Sequence, residues 1–174
     1  MKVIVISQPH FFDGEIDLIL KLMENGLQYF HLRKPESSIE QMSLLIQGIP
    51  DEFKNRIIIH SHYSLAQEFP IKGIHCTSHG REEFYKWEHL PVQKSISVHG
   101  FCEAASVDSS YTYAFLSPIF DSISKPDYTR AYDFEALRDF LSRPRDFEII
   151  ALGGISIQNI DFCREIGFDG IALM

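Results

Sequence analysis

Eight short apolar runs rich in β-branched residues punctuate the chain, and a segment of helical period separates each from the next. The runs are VIVI (3–6), YFHL (29–32), RIIIH (56–60), GIHC (73–76), SISV (95–98), YAFL (113–116), EIIAL (148–152) and GIALM (170–174). Residues apolar at consecutive positions, rather than alternating, suit strands covered on both faces, as in a parallel sheet. Between them, EIDLILKLMENG brings Ile16, Ile19, Leu20 and Met23 to one helical face and stops at Asn25-Gly26. SSIEQMSLLIQG opens on serines able to cap a helix, with Glu40 close behind. DFEALRDFLSR and SIQNIDFCREIG repeat the scheme, the second with Ser156 as cap and Gly167 as stop. The spacers after the third to fifth runs are short (SLAQEF, EEFYKWEHL, CEAASV). Eight strands and seven helical connections in strict alternation predict an α/β fold, a compact (β/α)8 TIM barrel rather than a doubly wound sheet. Nothing after GIALM supplies an eighth helix. The expectation is a single barrel domain over residues 1–174, incomplete at its C-terminal end.

Composition narrows the function classes. A chain of 174 residues suits one domain with its own core. The formal charge of −8 argues against a nucleic-acid partner, which would want clustered Lys and Arg in excess. A small phosphorylated ligand stays open, because a few basic groups in one cleft suffice. Cys76, Cys102 and Cys163 show no CxxC spacing and read as reduced thiols. No segment approaches the roughly 18 apolar residues of a membrane span. KVIVIS is too short for a signal-peptide core. A cytoplasmic protein without membrane partners is expected, with a homo-oligomer left open.

In a barrel of this kind the catalytic side chains sit at the C-terminal ends of the strands. The unusual residues of this chain fall there. Ser7, Gln8 and His10 follow the first run; His31 and Arg33 end the second; His60, Ser61 and His62 end the third. His75 lies in the fourth with His79 after it, and Ser97 and His99 end the fifth. Of eight histidines, only His89 falls outside this pattern. His31 and Arg33 share one strand face, since side chains alternate with period two. His60-Ser61-His62 aside, no metal-binding spacing with a carboxylate partner is present, and no protein-held metal is expected. Gly153-Gly154, after the seventh run and before Ser156, can let backbone N–H groups approach a phosphate. It can equally make a tight turn. The polar connection SPIFDSISKPD (117–127) brings Ser122, Ser124 and Lys125 together after the sixth run.

Six segments, in order, resemble the thiamin phosphate synthase and thiazole tautomerase family over nearly the whole chain. FHLRKP resembles its Q-L-R-x-K strand end, keeping Arg33 while His31 replaces the glutamine. RIIIHSHYSLA resembles I-I-N-D-R-x-D-L-A, and GIHCTSHG resembles G-V-H-L-G-Q-x-D. SISVHGFCEA matches G-x-S-x-H-x-x-x-E at Ser97, His99 and Glu103. YAFLSPIFDSISKPD is similar to G-P-[IV]-[FY]-x-T-x-T-K-x-D, with Ser122 and Ser124 at the threonine positions. ALGGISIQNIDFCREIGFDGIAL is close to I-G-G-I-x-x-x-N-x-x-x-x-x-x-A-G-x-D-G-[IV]-A.

The resemblance implies a thiamin-pathway transferase that joins a pyrimidine diphosphate to a thiazole phosphate and releases pyrophosphate. It implies a catalytic set of Arg33, Lys125, Ser97 and His60. Arg33, with Lys34 or Lys125, would hold the diphosphate. His31, His62, His99, Ser122 and Ser124 would contact substrate, and Gly153 and Gly154 would take the thiazole phosphate. The family's two magnesium aspartates fall at Ser61 and Gly80, its Asn at His60, and its second Lys at Pro35. Magnesium is therefore expected only as a companion of a diphosphate substrate, not bound by protein carboxylates. The alternatives are the metal-free tautomerase reaction, whose histidine falls at Pro118, and a non-catalytic binder of a phosphorylated thiamin precursor.

Overall fold

The computed structural model describes residues 1–121 and 132–174. Its strands are β1 Lys2–Ile6, β2 Phe30–Leu32, β3 Ile57–Ile59, β4 Gly73–Cys76, β5 Gln93–Val98, β6 Tyr113–Leu116, β7 Glu148–Ala151 and β8 Gly170–Leu173. They form one closed parallel barrel in chain order. Each falls on one of the eight apolar runs, within two residues at either end. Every residue of β2, β3, β4 and β6 is buried, as consecutive apolar runs covered on both faces require.

The helices are α1 Glu15–Glu24, α2 Ile39–Gln47, α3 Asp51–Lys54, α4 Arg81–Trp87, α5 Phe101–Ala105, α6 Phe134–Ser142 and α7 Ile160–Ile166. Local chemistry sets their ends. α1 buries Ile19 and Met23 and ends at Asn25, followed by Gly26 at φ 94°. In α2, Ser38 and Gln41 form a reciprocal capping box, so the partner is Gln41 rather than the expected Glu40. Asp133 caps α6 by accepting from the N–H groups of Glu135 and Ala136. α7 ends on Gly167 at φ 105°. The short spacers behave as their length dictates: SLAQEF forms only a 3-10 turn at Tyr63–Gln67, and α5 has five residues. α3 was not anticipated; it is a single turn after Pro50. β8 is the last element, followed by Met174. No helix among the described residues is long and apolar enough to cross a membrane.

The chain divides into two compact units, residues 4–94 with Met174, and residues 1–3 with 95–173. In the first, β1 to β4 pair in parallel with His31 opposite Ile6 and Ile58, and Ile59 opposite Ile74. In the second, β5 to β8 pair likewise, with Ser97 opposite Phe115 and Leu116 opposite Ala151.

One charged residue organises the start of the first unit. Lys34, just past β2, has a fully buried side chain. Its ammonium donates to the carbonyls of Gln8 (2.9 Å) and His10 (2.7 Å) and to Glu15 Oε1 (2.5 Å). The Phe11 ring lies 4.8 Å away. An ammonium has three protons, and all three are used. Lys34, expected to help hold a diphosphate, therefore ties the loop after β1 and the first turn of α1 to the end of β2.

Truncating Glu15 leaves that ammonium buried without its counter-charge. Glu15→Ala is expected to destabilise the fold by about 3–5 kcal/mol, read by denaturant unfolding. A loss under roughly 1 kcal/mol would show that the pair is replaceable.

Candidate active site

Period-two alternation and parallel register together place His31, Ile58, His60, Gly73 and His75 on one face of β2, β3 and β4. The consequence is a cluster of three imidazoles. His31 Nδ1 lies 2.8 Å from His60 Nε2, and the rings of His60 and His75 stack with centroids 4.2 Å apart. His31 and His75 are wholly buried and His60 nearly so. The Tyr63 hydroxyl sits 2.9 Å from the carbonyls of both His60 and His75 and shares its one proton between them, tying the ends of β3 and β4.

Burial decides the charge of this cluster. Removing an imidazolium from water is unfavourable, so each ring is held neutral. His75 is pushed down to about 3, first by burial and then by the nearby Arg33 guanidinium. His31 is lowered well below the usual range by burial and by His75, and His60 by burial, His75, His31 and Arg33. His31, expected to touch substrate, lies one layer deeper than Arg33 on the same strand face. Its Nδ1 contacts His60, and its ring also meets His75 edge-on. His75 completes the cluster but was not singled out, because its partners lie far away in sequence.

Arg33 is half-buried, with its backbone N–H held by Ser7 Oγ at 2.9 Å. His60 also lines a cavity of about 400 Å³ with Ser61, His62, Tyr63, Gly80 and Glu83. His62 adopts φ 55° at the start of the 3-10 turn. Its Nε2 donates to the Ser37 carbonyl at 2.8 Å, which places the ring proton on that nitrogen. Ser61 Oγ is buried without a hydrogen-bond partner among the described residues.

The second unit builds its site from backbone. Gly153 and Gly154 follow β7 at φ 93° and 65°, conformations that side chains disfavour. A Cβ on Gly154 would lie 2.5 Å from the Asp121 carbonyl oxygen and 2.8 Å from Phe120 Cβ. The turn is fastened by Phe120 N–H to Gly153 O (3.1 Å), Asn159 Nδ2 to Gly154 O (2.9 Å) and Ser156 N–H to Asn159 Oδ1 (2.9 Å). Beside it opens a cavity of about 620 Å³, lined by Gly154, Ser156 and Asn159 together with Phe120, Phe134 and Phe162. Asn159 is the residue that sequence reasoning undervalued; the S-x-x-N spacing is its signal.

Ser97 is half-buried on β5. The S-x-H-x-x-x-E pattern has a local cause: Glu103 Oε2 accepts from the His99 backbone N–H at 2.8 Å and shapes the turn before α5. His99 is exposed, with Nδ1 3.3 Å from the Ser117 carbonyl. Ser122, Ser124 and Lys125 lie outside the described residues.

A closed eight-stranded parallel barrel, with polar groups gathered at the C-terminal ends of its strands, defines a (β/α)8-barrel enzyme. Residues 3–174 match the family described as thiamine monophosphate synthase, and the chain belongs to it, as an enzyme of thiamin biosynthesis. A thiamine-phosphate synthase of Photorhabdus laumondii is 25% identical over 165 residues, covering 90% of this chain and 75% of that protein. One from Bacillus cereus is 23% identical over 167 residues, covering 91% and 76%. The crystal structure of thiamine phosphate pyrophosphorylase from Bacteroides thetaiotaomicron superposes with a TM-score of 0.85 at 32% identity, covering 99% of this chain and 82% of that one.

The imidazole cluster makes stability pH-dependent in a defined direction. In the unfolded chain these histidines protonate near pH 6.5, whereas folded His75 does so only near 3. Below about pH 6.5 the unfolded state therefore binds more protons, and stability falls with pH by up to roughly 1.4 kcal/mol per unit for each such histidine. Chelator-treated protein should lose stability between about pH 6.5 and 5, and His75→Gln should reduce that slope. Equal slopes in the two proteins would contradict the buried neutral assignment. Separately, Gly154→Ala should lower the melting temperature, since both its φ and its contacts oppose a Cβ.

Proposed function

We propose that this enzyme condenses a pyrimidine diphosphate with a thiazole phosphate, releasing pyrophosphate. The observation that carries this reading is the Gly153-Gly154 turn with its Ser156–Asn159 clasp beside an open cavity, in a chain of the thiamine monophosphate synthase family. The thiazole phosphate is assigned to this turn, where only glycine leaves the backbone open to oxyanions. Ser122 and Ser124 are assigned to the remaining polar groups of the thiazole.

The pyrimidine diphosphate is assigned to Arg33, with Lys125 as the second cation. As the bond from the pyrimidine methylene to the diphosphate breaks, negative charge collects on the leaving oxygens and positive charge on the methylene. Cations placed at the diphosphate lower that barrier, because they bind the separated charges better than the ground state. The thiazole nitrogen then forms the new C–N bond, and pyrophosphate leaves with the electron pair. His60 and Ser97 are assigned to the polar edge of the pyrimidine. A neutral imidazole suits the role, since a second positive charge there would oppose the cationic methylene. His62 and His99 complete the substrate contacts.

The residues present do not fit a protein-held magnesium ion. Ser61 offers one hydroxyl and Gly80 no side chain. Glu83, the carboxylate in the same cavity lining, is already engaged with Lys86 (2.7 Å) and the Trp87 indole (2.9 Å). Hard dications want carboxylate or carbonyl oxygen. No step is therefore routed through magnesium, which on this reading could enter only with the diphosphate. The whole chain, residues 1–174, is read as one functional unit. Free thiols at Cys76, Cys102 and Cys163 support a reducing, cytoplasmic setting.

Incubating the protein with both precursors should yield thiamin phosphate and pyrophosphate with weak dependence on added magnesium; no product under either condition would refute the synthase reading. Arg33→Ala and Lys125→Ala should each weaken diphosphate binding by about 2 kcal/mol by calorimetry. Ser61→Asp should raise magnesium affinity. It is a cleaner test than Gly80→Asp, whose Cβ would lie 2.7 Å from Thr77 Oγ1.

A further inference from the structure

The buried imidazole cluster has no counterpart in the reaction above beyond His60, and its energetics are unusual. Three polar rings occupy a layer that apolar side chains could fill. One nitrogen of each ring lies within 4.8 Å of the others. The His31–His60 contact satisfies one nitrogen of each ring, yet His60 Nδ1 remains buried with no hydrogen-bond partner among the described residues. Either tautomer leaves it so: as a lone pair facing no donor, or as an N–H facing no acceptor. An orphaned buried polar atom of this kind is unfavourable by about 1–3 kcal/mol.

We propose that His31, His60 and His75 form a three-histidine site for a borderline transition-metal dication, zinc or a close analogue such as cobalt(II). The donor chemistry selects the metal class. Imidazole nitrogen is a good ligand for zinc, cobalt, nickel and copper and a poor one for magnesium or calcium. The rings bind metal only when neutral, and burial holds them neutral. The geometry is close to what is needed. Zn–N bonds of about 2.0–2.1 Å in a tetrahedron put ligand nitrogens about 3.3 Å apart. With the metal on His31 Nδ1 and His60 Nε2, that pair opens by about half an ångström from 2.8 Å, the third ring's nitrogen closes in from within 4.8 Å, and His60 Nδ1 carries its proton outside the metal set.

Adjacent strands hold the set rigidly. His60 and His75 follow the paired residues Ile59 and Ile74, and the Tyr63 hydroxyl bridges their carbonyls. His62, the other half of the His-x-His sequence, lies outside this group, with its Nε2 on the Ser37 carbonyl. Three histidines leave a fourth position open, the arrangement of catalytic rather than closed structural zinc. His60 lines the cavity of about 400 Å³, so a ligand entering there meets a ring of the metal set.

The test uses the full chain, stripped with chelator and titrated with cobalt(II) at neutral pH, without thiamin precursors. The expected result is one equivalent bound with visible ligand-field bands of low coordination number, displaced by zinc. His31→Gln and His75→Gln should weaken binding by at least about 100-fold, more than loss of an outer-shell partner does. His89→Gln, an exposed histidine outside the cluster, should bind as the wild type does. Should a buried variant misfold, imidazole nitrogen NMR of the wild type decides: zinc must shift the signals of three buried neutral rings. No stoichiometric binding by the wild type, or shifts confined to the exposed histidines, would overturn the proposal. Neither outcome bears on whether the chain makes thiamin phosphate.

Discussion

A parallel strand presents alternate side chains to one face of its sheet, and in a closed barrel that face has no water to satisfy whatever it carries. In β2, at the end of β3 and in β4, this alternation delivers His31, His60 and His75 to the same face. Much of the first unit follows from that placement. The rings are held neutral because charging them would strand an imidazolium out of water. They pack by stacking and by one short N···N contact because each is the other's best available partner. Tyr63 then ties the ends of β3 and β4 by binding the carbonyls of His60 and His75 with one hydroxyl.

The two compact units present polar groups of different kinds. Residues 4–94 present side chains: Arg33 is half-buried, while Lys34, adjacent in sequence, is consumed by two carbonyls and Glu15. The contrast between these neighbours is one of direction. Successive strand residues point to opposite faces, and the two side chains part accordingly. Residues 95–173 use backbone instead. Gly153 and Gly154 hold conformations closed to other residues, Phe120 and Asp121 pack where a Cβ would stand, and Asn159 clasps the turn from the start of α7.

Membership of the thiamine monophosphate synthase family and the loss of its magnesium aspartates are compatible once the two functions of a cation site are separated. Neutralising a leaving diphosphate requires positive charge, which Arg33 and Lys125 can supply. Gathering a hard dication requires carboxylates, which Ser61 and Gly80 do not provide.

Strand positions were legible in the sequence because a strand buried on both faces has to be apolar at consecutive residues, and all eight runs announce themselves that way. Helix ends were legible where one residue does the work, as Asp133 and Gly167 do through local hydrogen bonds and local φ. The paired glycines after β7 were legible too, since their constraint is also local. The fates of Lys34, His31 and His75 were not. Nothing in RKPESS says that a lysine will meet Glu15, and nothing in GIHC says that its histidine will stack on a ring from RIIIH. Those outcomes depend on register between strands separated by many residues, which is settled only when the barrel closes. Local sequence determined which segments became strands and where helices start and stop, because those rest on contacts within a few residues. Tertiary structure alone decided which polar side chains face a ligand and which are spent on one another, because burial and partners come from chain-distant neighbours.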